Sequence, residues 1–127
     1  MNKLSLVIKS IFWLCFFALN GLALSPAPYI PPMEIFSWWD KAQHAGGFAV
    51  LTVLGFWAYA SAGTLRVLTG LMAFGVAIEF AQAATGWRHG DAWDALADTV
   101  GVAAGWCAVR VAQRVRANKR MGVVGPE

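Results

Sequence analysis

Four apolar stretches, each near the roughly 20 residues that cross a hydrocarbon layer as a helix, dominate this chain. They fall at about residues 6–24, 44–62, 65–85 and 92–111. Between them lie short polar segments in which nearly all the charge is gathered. Only 13% of the 127 residues are charged and 58% are apolar, with mean hydropathy +0.54. A soluble domain needs roughly a quarter of its residues charged to cover its surface. The pattern therefore predicts an all-α fold, an integral membrane four-helix bundle solvated by lipid.

Connections set the arrangement. Pro26, Pro28, Pro31 and Pro32 end the first span, because proline lacks the N–H that a helix interior needs. The hairpin around Gly63 is so short that spans two and three must be antiparallel neighbours. The chain divides into a first transmembrane helix (1–24), a Pro-rich outer loop (25–43), a three-helix core (44–112) and a basic tail (113–127), which is expected to fray into solvent. Lys3, Lys9, the apolar run 11–19 and Ala23-x-Ser25 resemble a secretory signal peptide. Pro26 is a poor residue after a cleavage point, so the first span is expected to remain as an uncleaved anchor.

Orientation follows from the cations. With the N-terminus inside, eight Lys and Arg lie on the inner side: Lys3, Lys9, Arg66, Arg110, Arg114, Arg116, Lys119 and Arg120. Only Lys41 and Arg88 lie outside, which places both termini in the cytoplasm. Trp38, Trp39, Trp87 and Trp93 then sit at the outer interface, where indole rings prefer to lie. Cations at span ends, with no soluble basic patch, argue against a nucleic-acid partner. Cys15 and Cys107 both fall in apolar stretches and read as small apolar side chains.

The acids are distributed the other way. Glu34, Asp40, Glu79, Asp91, Asp94 and Asp98 all belong to the outer half, and only Glu127 lies in the tail. Glu79 is 13 residues from Arg66, or about 20 Å along a helix, and Asp98 is 12 residues from Arg110, or about 18 Å. The two acids should thus share a depth within the outer leaflet. Asp91, Asp94, Asp98, Gly101 and Gly105 step by 3, 4, 3 and 4 along one helix stripe. Gly75, Glu79, Gln82 and Gly86 form a second stripe, and Asp40, His44, Gly47 and Leu51 a third. Acids that share stripes with glycines face closely packed neighbours, and Gly101-x-x-x-Gly105 is a small-residue helix contact.

A carboxylate in hydrocarbon costs at least about 2.5–3.5 kcal/mol on insertion scales, so its default reading is functional. Glu79, Asp94, Asp98 and His44 are the catalytic candidates: carboxylates as acid and base, and the imidazole as proton shuttle. Asp40, Lys41, Gln82, Arg88 and Asp91 are the binding candidates, with Lys41 and Arg88 suited to an anionic headgroup. No residue is assigned as a metal ligand, although a hard cation such as Mg²⁺ among the carboxylates would bridge to phosphate. The competing reading is structural: Glu79 and Asp98 bond Arg88, His44 and Gln82 and so lock the helices together. Asp91 and Asp94 also suit the N-terminal end of a helix dipole without further role. Gly90-x-x-x-Asp94-x-x-x-Asp98 overlaps half of the metal signature of CDP-alcohol phospholipid-synthesising enzymes, but the upstream paired-Asp half is missing.

Three blocks in order carry a family resemblance. They are Asp40-Lys41-x-x-His44 with Phe48, then Glu79-x-x-Gln82, then Arg88-x-x-Asp91-x-x-Asp94-x-x-x-Asp98-x-x-Gly101. On these the chain resembles the VanZ-like family of small bacterial membrane proteins, over about residues 40–105. That family usually has Asn where this chain has Asp98. Its name-giving member is associated with reduced susceptibility to the glycopeptide teicoplanin. The resemblance implies a multi-pass protein of the bacterial cytoplasmic membrane with an envelope role. Its partners are then membrane lipid, an envelope-lipid substrate bound or modified at an outer-leaflet site, and a second copy of the chain in a homo-oligomer. The alternative is a non-catalytic scaffold or accessory subunit, and a third reading is transport of protons or small cations through the same acids.

Overall fold

The computed structural model describes residues 3–26 and 39–122, and these are helical throughout apart from short connections. Four helices follow one another: α1 (Lys3–Leu24), α2 (Trp39–Ala58), α3 (Thr64–Thr85) and α4 (Ala92–Gly122). Most of the Pro-rich loop, with Pro28, Pro31, Pro32, Glu34 and Trp38, lies outside the described residues, as does the end of the tail with Glu127. Helices α2 and α3 each touch all three others, and α1 and α4 flank them without meeting. The largest interface joins α2 to α4.

Three helices, α1, α3 and α4, are long and apolar enough to cross a membrane. The second expected span differs in place and character. It begins at Trp39 and ends at Ala58, so its first two turns carry Asp40, Lys41, Gln43 and His44. The tail also differs: α4 runs to Gly122 instead of ending near residue 111. Good helix formers (Ala, Arg, Gln and Lys) fill that extension. Lys119 and Arg120 in its last turn complement the negative end of the helix dipole.

The packing is polar inside and apolar outside at one end of the bundle. Leu14, Leu65, Phe80 and Trp93 are among many large apolar side chains more than half exposed, whereas Asp98 and Thr52 are wholly buried. Such an apolar exterior is costly in water and suited to lipid. The apolar core (Phe12, Phe48, Leu51, Leu71, Ile78, Val102) links all four helices below the polar cluster. Phe74 stacks on Phe16 at 4.2 Å between ring centroids, fixing α3 on α1.

Two glycines allow the α2–α4 approach. A Cβ on Gly101 would stand 2.2 Å from the Ala45 carbonyl oxygen, and one on Gly105 would stand 2.5 Å from that of Ala49. The turn from α3 to α4 starts at Gly86, whose φ of 79° is the left-handed cap conformation that glycine adopts without steric cost.

Candidate functional site

The site is assembled where the start of α2, the upper part of α3 and the start of α4 converge. Asp91 begins it. Its Oδ1 accepts the Trp93 N–H at 2.9 Å, which is N-cap geometry for α4. Its own N–H donates to Glu79 Oε2 at 2.7 Å and ties the α3–α4 connection to the α3 acid. Lys41 from α2 then bridges two acids, Asp91 Oδ2 at 3.2 Å and Asp94 Oδ1 at 3.1 Å.

One turn further into the bundle, His44 Nδ1 lies 2.9 Å from Asp98 Oδ1. The Asp98 side chain is 1% exposed and that of His44 12%, so this pair is screened from solvent. Ligating atoms of His44, Glu79 and Asp98 all lie within 4.8 Å of one another. Glu79 and Asp98 thus lie at a similar level along the bundle, as counting helix rise predicts, and His44 bonds Asp98 with Glu79 close by. Asp40, exposed in the first turn of α2, forms a second such group with His44 and Asp94.

Gln82 and Arg88 serve a different partner from the one the structural-lock reading gave them. Gln82 Nε2 donates to the Ala23 carbonyl at 3.0 Å. Arg88 donates through Nε to Ser25 O at 3.3 Å and through Nη2 to Leu22 O at 3.4 Å. Among the described residues, neither side chain donates to an acid. They cap the last turn of α1, whose terminal carbonyls have no partner within the helix. Trp87 joins them, its Nε1 donating to Leu24 O at 3.2 Å. Sequence reasoning placed Trp87 only as an interfacial ring; nothing in the spacing indicates that α1 ends beside it.

A cleft of about 140 Å³ opens beside this cluster. Leu19 and Leu22 of α1, Phe48 of α2 and Ile78 of α3 form its apolar wall. Asp40, His44, Gln82 and Arg88 form its polar wall. Comparisons with protein-family models, curated proteins and solved structures find no match for this chain. The chemistry must therefore be read from the side chains.

Three buried oxygens in this region have no hydrogen-bond partner among the described residues: Glu79 Oε1, Gln82 Oε1 and Asp98 Oδ2. Glu79 is 8% exposed, Gln82 3% and Asp98 0%. A polar lock would satisfy its own atoms, because each buried unpaired group costs about 1–3 kcal/mol. The orphans lie on the inner face of the cluster. The ion pairs with Lys41 lie at its outer rim.

The rim titrates. The Trp93 N–H first, and the Lys41 ammonium second, hold the Asp91 carboxyl below the usual carboxylate range. A carboxylate lowered in the folded state adds stability above its unfolded value and loses it as pH falls through the folded one. Wild-type protein in detergent should therefore lose thermal stability on acidification below about pH 4. Asp91→Asn, which keeps an N-cap acceptor, should start lower at neutral pH and lose less over that window. Melting curves at several pH values test this; parallel curves for the two proteins would mean that Asp91 does not contribute.

Proposed function

We propose that this protein is a VanZ-like protein of the bacterial cytoplasmic membrane, with both termini cytoplasmic. It binds or modifies the headgroup of an envelope lipid, or of its precursor, at an outer-leaflet site. The observation that carries this reading is the cleft, apolar along α1 and α3 and polar beside His44, Gln82 and Arg88. That division matches an amphiphile with its acyl chain along the helices and its headgroup at the cluster. All four helices cross the membrane in this reading. α2 needs less hydropathy than the others because fewer of its side chains are exposed.

The chemistry open to the site is proton transfer. His44, oriented by Asp98, is placed as general base or acid, and Glu79 is the second proton carrier. Asp94 is held by Lys41 and serves to position it. Arg88 lies on the cleft wall and is the cation nearest a bound headgroup. A link to glycopeptide (teicoplanin) susceptibility follows if the headgroup belongs to the envelope that such drugs meet.

The scaffold reading draws on a specific set of contacts, those of Gln82, Trp87 and Arg88 on the end of α1. It leaves the three orphaned oxygens unexplained. Transport is supported less, since no charged residue lies on α3 between Arg66 and Glu79.

Native mass spectrometry of purified wild type and Glu79→Gln tests the proposal. Wild type should retain a phosphate- or glycan-bearing lipid, and the folded variant should lose it. Bare protein in both samples, with the variant melting early, would remove the lipid reading and favour the scaffold.

A further inference from the structure

We propose that His44, Glu79 and Asp98 form a divalent-cation site of mixed carboxylate and imidazole donors, suited to Mn²⁺ or Zn²⁺. The inference begins with charge. Two carboxylates and an imidazole present atoms within 4.8 Å of one another, and both acids are more than nine-tenths buried. Buried carboxylates are normally paired with a cation or coordinate a metal, because an isolated ionised one is expensive in a low dielectric. Here Lys41 is spent on Asp91 and Asp94 at the rim. Glu79 receives one backbone N–H, and Asp98 meets His44 alone.

The second observation is independent of that clustering. Glu79 Oε1 and Asp98 Oδ2 are buried and unpartnered. Asp98 Oδ2 is directed towards α3, the helix that carries Glu79, since a Cβ on Gly75 would meet it at 2.8 Å. Gly75 lies one helical turn from Glu79, on the same face. Each carboxylate therefore has one oxygen engaged and one free. The Asp91 N–H orients Glu79 and leaves its other oxygen free to bind. Asp98 is instead engaged by His44, itself a ligand, whose Nδ1 would exchange that bond for the cation.

Donor type narrows the ion. One nitrogen with two carboxylates suits Mn²⁺, Zn²⁺ or Fe²⁺ better than an all-oxygen Ca²⁺ site. The alternative group, Asp40, His44 and Asp94, is weaker on two grounds. Asp40 is exposed, and Asp94 already holds the Lys41 ammonium at 3.1 Å. His44 also lines the cleft, so the site adjoins it. The site does not depend on a lipid ligand. Where a phosphate-bearing headgroup does bind, the cation adds positive charge to that of Arg88 on the cleft wall, Lys41 being paired with Asp91 and Asp94.

The test uses the full chain in detergent, stripped with EDTA and freed of lipid, and titrated with Mn²⁺ alone by electron paramagnetic resonance. One Mn²⁺ per chain should bind, and pulsed measurements on wild type should detect one coordinated imidazole nitrogen. Glu79→Gln and Asp98→Asn should each weaken binding by roughly tenfold or more. Asp40→Asn should leave it unchanged, with folding of every variant checked by circular dichroism. Absence of bound Mn²⁺ in wild type would overturn the proposal, as would binding without a nitrogen signal. Dependence on Asp40 instead of Glu79 would also overturn it, in favour of the rim group. Because no lipid is present, these outcomes are separate from those of the mass-spectrometric test.

Discussion

Gly101→Leu should separate α2 from α4 and lower the stability of the bundle by about 3 kcal/mol or more. Its added Cβ would stand 2.2 Å from the Ala45 carbonyl oxygen and 2.9 Å from two further backbone atoms of that residue. Side chains can rotate away from an intruder, but a helix backbone cannot, so the helices must move apart. Replacing Gly inside a helix gains up to about 1 kcal/mol of helix propensity, too little to offset the clash. Gly46→Leu provides the control, because a Cβ there meets nothing within 4 Å. Thermal melts in detergent should therefore diverge, Gly101→Leu falling and Gly46→Leu staying level or rising slightly. Equal melting of Gly101→Leu and wild type would contradict the close α2–α4 crossing on which the site depends.

His44→Leu should be nearly as damaging, by roughly 3–5 kcal/mol in metal-free protein, the range seen when one partner of a buried pair is removed. Asp98 is wholly buried, and His44 is its one hydrogen-bonding partner among the described residues. Deleting the imidazole leaves a carboxylate in a low dielectric beside Glu79. Removing both members is different, because a buried pair replaced by apolar side chains is often neutral. The double variant His44→Leu/Asp98→Leu should thus recover most of the loss. Melting temperatures of the two single variants and the double, all in EDTA, form the cycle that measures it. Additive losses would mean that the two groups do not interact across α2 and α4.

Helical class and most helix boundaries were legible in the sequence because they depend on local quantities. Apolar runs near 20 residues, proline after Ser25 and the hairpin at Gly63 all act through neighbouring residues alone. The buried stripes were legible for the same reason: helical periodicity put Asp94, Asp98, Gly101 and Gly105 on one face, and all four are buried. The common level of Glu79 and Asp98 came from counting rise along two antiparallel helices. Two elements did not follow local rules. The start of α2 is polar yet helical from Trp39, where Lys41 and His44 reach the acids on α4. The helical tail to Gly122 was read as frayed from its charge, although its residues are good helix formers.

Partnerships were beyond the sequence. Gln82 and Arg88 were grouped with the acids because they share the outer half of the chain, yet both bond the end of α1. That choice depends on where α1 stops relative to α3, which chain order leaves open. Periodicity likewise placed Glu79 on a buried face without saying which oxygen would be satisfied there. By itself, the sequence determined four helices, their polar faces and the shared level of the acids, because spacing along a helix converts directly into angle and height. Only the tertiary structure decided that His44 bonds Asp98 beside Glu79 and that one oxygen of each acid is left free. Those facts depend on the lateral distance between helices, which is set here by the absent side chains of Gly75, Gly101 and Gly105.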